Sequence, residues 1–156
     1  MIRTLLDMLR LRSGPQDLPA GAALAAAWLA QGLLIDQALD EPNSAPRNLL
    51  AIAVQFGAIS VLLKLRNHAA RIPQTISALA GTGFIMGLLA FVLLAQLDSA
   101  QPQPGLALAY LGLFIWSLAV DGNIYRHALS TKMSFGVLVA VLIFAVNLIL
   151  LKAAFG

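Results

Sequence analysis

An uncharged run from Ile72 to Leu97 limits what this chain can fold into. It is 26 residues long, with Arg71 before it and Asp98 after it. A helix rising about 1.5 Å per residue would carry it roughly 39 Å. A hydrocarbon core about 30 Å thick needs only about 20 residues. Composition points the same way: 60% of the chain is hydrophobic and 11% is charged, against about 25% charged in an ordinary soluble domain. Too few charges remain to cover that much apolar surface in water. The expected class is an all-α integral membrane bundle, one membrane domain over residues 1–156.

Five spans are expected, over about 18–36, 47–65, 73–97, 105–125 and 132–152. The first is Ala-rich and only modestly hydrophobic. It and the second lie near the lower limit for crossing, about 17 residues, and a shallow hairpin is the alternative for that pair. Residues 1–12 read as a short amphipathic helix in the membrane interface, with Ile2, Leu5, Leu6 and Leu9 on one stripe and Met8 beside it. The start superficially resembles a secretory signal. Asp7, Arg10 and Arg12 interrupt its apolar core, so the segment is expected to be retained.

Charge orients the spans. Arg3, Arg10, Arg12, Lys64, Arg66, Arg71, Arg126 and Lys132 fall on one side; Arg47 and Lys152 fall on the other. The acids Asp36, Asp40, Glu41 and Asp98 join the second side. Positive charge marks the cytoplasmic face, which places the N-terminus in the cytoplasm and the C-terminus outside. The basic residues are scattered between apolar segments, so nucleic-acid binding is not read from the net charge of +3.

Small residues recur where helices could approach closely. Ala22, Ala26 and Ala30 are four apart, as are Ser77 and Gly81, and Gly83 and Gly87 make a GxxxG pair. Gly81, Gly83 and Gly87 are expected to pack helices, and the Gly83/Gly87 face to meet a partner. Gln55 and Asn147, with Gln31 and Gln96, are amides that should lock helices to each other or to a partner.

Candidate chemistry concentrates in Asp121-Gly122-Asn123-Ile124-Tyr125-Arg126-His127. Asp121 and Tyr125 share one helical face, and Asn123 and His127 share another. Lys64, Arg66, His68 and Arg71 belong at the same membrane face, and Asp121 should pair with one of them, because an unpaired carboxylate near lipid is costly. With Arg71 and Gln74, the cluster Asp121, Asn123, Tyr125, Arg126 and His127 is a candidate site for a lipid headgroup or a partner's charge. Tyr, Arg and His also serve simply to anchor helix ends at the bilayer surface. No cofactor or metal motif is present: the chain has no Cys, no GxSxG and no HExxH. Every charge falls near the edge of an expected span, which argues against proton-coupled transport.

The stretches Arg71-Ile72-Pro73-Gln74-Thr75 through Gly81-Thr82-Gly83, and Trp116 through Arg126-His127-Ala128-Leu129-Ser130, resemble patterns in small bacterial proteins grouped near the Yip1-type membrane proteins. The resemblance covers the general plan of a cytoplasmic N-terminus and five helices. It implies a bacterial inner-membrane protein acting through other membrane proteins or lipids. It implies no catalytic activity and carries over no functional residue. The leading expectation is a small interaction or structural protein, a subunit or adaptor that binds membrane lipids and either another membrane protein or itself. A transporter or channel component acting as an oligomer, and a lipid-binding or lipid-modifying protein, are the alternatives.

Overall fold

The computed structural model describes residues 1–18, 22–39, 44–97 and 101–156. The described residues form six α-helices and no strand: α1 (Ile2–Leu9), α2 (Ala22–Leu39), α3 (Ser44–Leu65), α4 (Ile72–Leu94), α5 (Pro104–Ala128) and α6 (Met133–Phe155). Short 3-10 turns at Pro15–Asp17 and Ala69–Arg71 precede α2 and α4. Asp40, Glu41, Asp98 and the side chains of Ala22 and Asp36 lie outside the described residues, so the acidic half of the charge pattern has no structural counterpart here.

Among the described residues, four helices are long and apolar enough to cross a membrane: α3, α4, α5 and α6. The apolar stretch of α2, Ala23–Ile35, is shorter. Four of the five expected spans thus have full-length apolar helices among the described residues, and the first corresponds to α2, whose side chains are described only over 23–35. The architecture is an all-α membrane bundle. Large apolar side chains such as Val61, Leu108, Ile115, Leu142 and Ile149 stand exposed on its outside. That is the reverse of a soluble fold and suits hydrocarbon as solvent.

The long central run occupies the middle of the bundle. As α4 it packs against α1, α2, α3 and α5, and Thr75, Ser77, Ala78, Leu79 and Ala80 in its first half are buried. Its hydroxyls do not strand polar groups there. Thr75 donates to the Arg71 carbonyl at 2.8 Å, Ser77 to Pro73 at 2.9 Å and Thr82 to Ala78 at 2.8 Å. Pro73 sits in the first turn, where a missing N–H costs little.

The helix directions follow from their contacts. Arg71 reaches the last turn of α5, so α4 and α5 are antiparallel. Arg66 lies over the Phe135 ring and Arg47 over Phe155, which runs α3 antiparallel to α6 with a cation–aromatic contact at each end. Leu24, Trp28 and Gln31 meet Gly81, Gly83 and Gly87 in order, so α2 runs parallel to α4. One end of the bundle thus carries Lys64, Arg66, Arg71, Arg126 and Lys132, and the other carries Arg47 and Lys152.

The closest helix pair is α5 with α6. A methyl group on Gly122 would come within 2.9 Å of the Val137 Cα, and one on Gly136 would meet the Gly122 carbonyl oxygen. The backbones touch there because neither residue has a side chain. Gly83 and Gly87, expected to receive a partner, are covered within the chain: Gly83 lies under the Trp28 ring and Gly87 under the Gln31 amide. The amides act in the same way. Gln31 Nε2 donates to the Phe84 carbonyl at 2.9 Å, tying α2 to α4. Asn147 Nδ2 donates to the Ala51 carbonyl at 2.9 Å, tying α6 to α3.

Three sectors divide α1. Stepping about 100° per residue, Leu5, Met8 and Leu9 form the buried sector against the bundle. Ile2 and Leu6 form an exposed apolar sector, and Arg3, Asp7 and Arg10 a polar one. A helix in the interface beside a bundle has three such neighbours: protein, lipid and water. The Trp116 indole N–H donates to the Leu9 carbonyl at 2.9 Å and holds the helix end in place.

Candidate functional site

The site begins with how α5 ends. Its last carbonyls have no partner within the helix. Arg71, the residue before α4, meets them from the neighbouring helix. Its Nη1 donates to the carbonyls of His127 at 3.2 Å and Ala128 at 3.0 Å, and to Ser130 Oγ at 2.6 Å. A cation at a helix C-terminus also suits the helix dipole.

The chain then turns at Ser130, which adopts φ 53°. The Ser130 N–H reaches the His127 carbonyl at 3.3 Å and the Thr131 N–H reaches Arg126 at 2.8 Å. This pair of bonds is the Schellman motif. The same motif ends α1 at Leu11 and α3 at Asn67, with φ 60° and 59°. None of the three is glycine; Leu11 and Ser130 each carry backbone strain of about 1 kcal/mol there, while asparagine at 67 tolerates the left-handed region better.

The third wall comes from the N-terminal segment. Asn123, fully buried, donates from Nδ2 to the Ser13 carbonyl at 3.0 Å and accepts at Oδ1 from Arg126 Nε at 2.8 Å. This pair brings Gln16 over the end of α5. The result is a cavity of about 380 Å³ lined by Gln16, Arg71, Arg126, His127, Ser130 and Thr131. Among the described residues, all three Arg71 hydrogen bonds use Nη1 and the one from Arg126 uses Nε. His127 Nε2 and Thr131 Oγ1 are buried and find no partner among the described residues. Two guanidiniums with N–H groups that no described residue accepts, an imidazole nitrogen and hydroxyls make a lining suited to an anion, with the Asp17 carboxylate acting on His127 from outside it.

The sequence-predicted cluster divides between two faces of α5. Arg71, Arg126 and His127 come together in this pocket, and Asn123 supports it. Gln74 is half-buried in the first turn of α4 and does not line it. Asp121 and Tyr125 do share a face, but it points into the bundle. Gln55 Nε2 donates to Asp121 Oδ2 and to the Tyr125 hydroxyl oxygen, each at 3.2 Å. The expected ion pair of Asp121 with Lys64, Arg66, His68 or Arg71 is not found among the described residues. Lys64 and Arg66 are exposed, and the His68 ring lies 2.6 Å from the Arg66 carbonyl. Nor is Asp121 at an edge. The helix continues to Ala128, about two turns beyond it, or roughly 10 Å at 1.5 Å per residue.

Sequence reasoning missed Gln16, Ser130 and Thr131. A Ser-Thr pair directly after a helix ending in Arg-His was a usable signal for the last two. Nothing marked Gln16, which is brought in only by tertiary contacts of the N-terminal segment. Gly122 and Gly136 were also missed, although Gly136 and Ala140 are small residues four apart.

Fold and surface together define a multi-pass α-helical membrane protein. The chain matches no family model, no curated protein and no solved structure.

Proposed function

We propose that this is a multi-pass protein of a bacterial inner membrane that holds the anionic headgroup of a membrane lipid between Arg71 and Arg126. One observation carries the reading: two guanidiniums, one at the start of α4 and one on α5, line a single cavity with His127, Ser130 and Thr131, and each has N–H groups that no described residue accepts. The pocket lies at the basic end of the bundle, which the distribution of Lys and Arg assigns to the cytoplasm. The C-terminus then faces outward. The exposed apolar residues Ile2 and Leu6 of α1 suit a lipid surface, which favours a lipid phosphate over a free one.

The Yip1-type resemblance, which implies action through lipids or membrane proteins, accords with this. The adaptor reading has less support, because α2 covers the glycine face that a partner was expected to use. Native mass spectrometry of the purified protein with equal amounts of phosphatidylglycerol and phosphatidylcholine tests the proposal. Selective retention of phosphatidylglycerol, lost in Arg126→Gln, is expected. Equal retention of both lipids by the wild type would overturn it.

A further inference from the structure

The bundle holds a second polar region, on the opposite face of α5 from the headgroup pocket. Between α2, α3, α4 and α5 lies a cavity of about 300 Å³, and Trp28, Gln55, Tyr110, Phe114, Ser117 and Asp121 are among the residues lining it. Asp121 is the one acid in that lining, and the lining contains no Lys, Arg or His. Its carboxyl oxygen Oδ2 accepts from Gln55, and no base meets it among the described residues. A charged group inside a membrane bundle ordinarily has a partner. Here the space beside the carboxyl is a cavity instead.

We infer that this cavity binds a compact organic cation, with the Asp121 carboxylate as its counterion and the rings of Trp28, Tyr110 and Phe114 around it. Aromatic rings attract a cation within about 6 Å of the ring centre, most strongly in a desolvated site. Trp28 is held in place by Phe56, with ring centroids 5.8 Å apart.

An alkylated ammonium fits this lining better than a metal ion does. A hard metal cation takes about six or more oxygen ligands. The lining offers one carboxyl, one amide and three hydroxyls (Tyr110, Thr82 and Ser117), fewer side-chain oxygens than such a shell takes, among mostly apolar and aromatic atoms. The space continues toward the Arg47 end. A second cavity of about 490 Å³ shares Trp28, Gln55 and Tyr110 with the first and extends to Asn48 and Leu94. Gln31, which is buried, lines this second cavity, and its Oε1 accepts no hydrogen bond among the described residues.

The test uses choline and its uncharged isostere 3,3-dimethylbutan-1-ol as probes. The full chain carries Trp116→Phe, so that Trp28 is the remaining indole, and is studied in micelles at constant ionic strength. Choline should change the Trp28 emission saturably, and the isostere should bind at least tenfold more weakly. Asp121→Asn, checked for native helix content, should weaken choline at least tenfold. A folded protein that does not respond to choline, or that binds both probes equally, overturns the inference. The probe comparison needs no Asp121 variant, so it stands even where that variant fails to fold.

Discussion

Arg71 Nη1 lies 3.2 Å from the carbonyl oxygen of His127, so the residue that opens the central helix also closes the last turn of its neighbour. This contact joins the fold to the candidate site. The guanidinium that caps α5 is also a wall of the cavity proposed to take an anionic headgroup. Arg71→Gln should therefore reduce stability as well as binding. Hydrogen bonds from a charged donor contribute roughly 1.5–3 kcal/mol, and a loss of about 2 kcal/mol is expected in denaturant unfolding in micelles. Among the described residues Arg126→Gln breaks one hydrogen bond, to Asn123, and should cost about 1.5 kcal/mol, the low end of that range. Equal stability of Arg71→Gln and wild type would show that the cap contributes nothing.

The α5–α6 crossing leaves no room for a methyl group. Gly136→Ala and Gly122→Ala should each destabilise the bundle by about 1–3 kcal/mol through overpacking. A methyl group on Gly57 or Gly112 would meet nothing within 4 Å, so these two positions are the controls. Alanine there should be neutral or stabilise by up to about 1 kcal/mol through helix propensity. Unfolding midpoints of the four variants check the contrast.

The glycine face of α4 is an internal seam. A methyl on Gly83 would come within 2.7 Å of the Trp28 ring. Gly83→Ala should therefore shift Trp28 emission, read in a Trp116→Phe background, and lower stability by about 1–3 kcal/mol. An unchanged Trp28 spectrum would mean that α2 does not lie on this face.

Trp116 fastens α1. Trp116→Phe keeps an aromatic ring and removes the bond to the Leu9 carbonyl. Amide exchange over Ile2–Leu9 should become faster while α4 and α6 are unaffected. Unchanged exchange in α1 would mean that Leu5, Met8 and Leu9 hold it without that bond.

The sequence made the helices legible because bilayer thickness and charge spacing set them. The expected spans at 73–97 and 105–125 correspond to α4 at Ile72–Leu94 and α5 at Pro104–Ala128. The α1 stripe was equally readable, since its apolar residues follow helical spacing. What could not be read was which face meets which. Gly83 and Gly87 show that a close approach is needed but not whether α2 or another chain supplies it. Asp121 looked like an edge residue because Arg126 and His127 follow it closely, yet α5 continues two turns further and Gln55, far away in sequence, receives the carboxyl. Arg71 and His127 were placed at one membrane face by charge. Their contact depended on α4 and α5 being neighbours, which no local pattern encodes.

The most direct measurement is the unfolding midpoint of the protein in micelles titrated with dihexanoyl phosphatidylglycerol or dihexanoyl phosphatidylcholine. A ligand that binds the folded state raises its stability saturably, by about 2.7 kcal/mol at a hundredfold excess over Kd. The account predicts such a rise for wild type with the anionic lipid, and little rise with phosphatidylcholine or in Arg126→Gln. Equal rises with both headgroups, or an undiminished rise in Arg126→Gln, would contradict the assignment of this pocket to an anionic lipid.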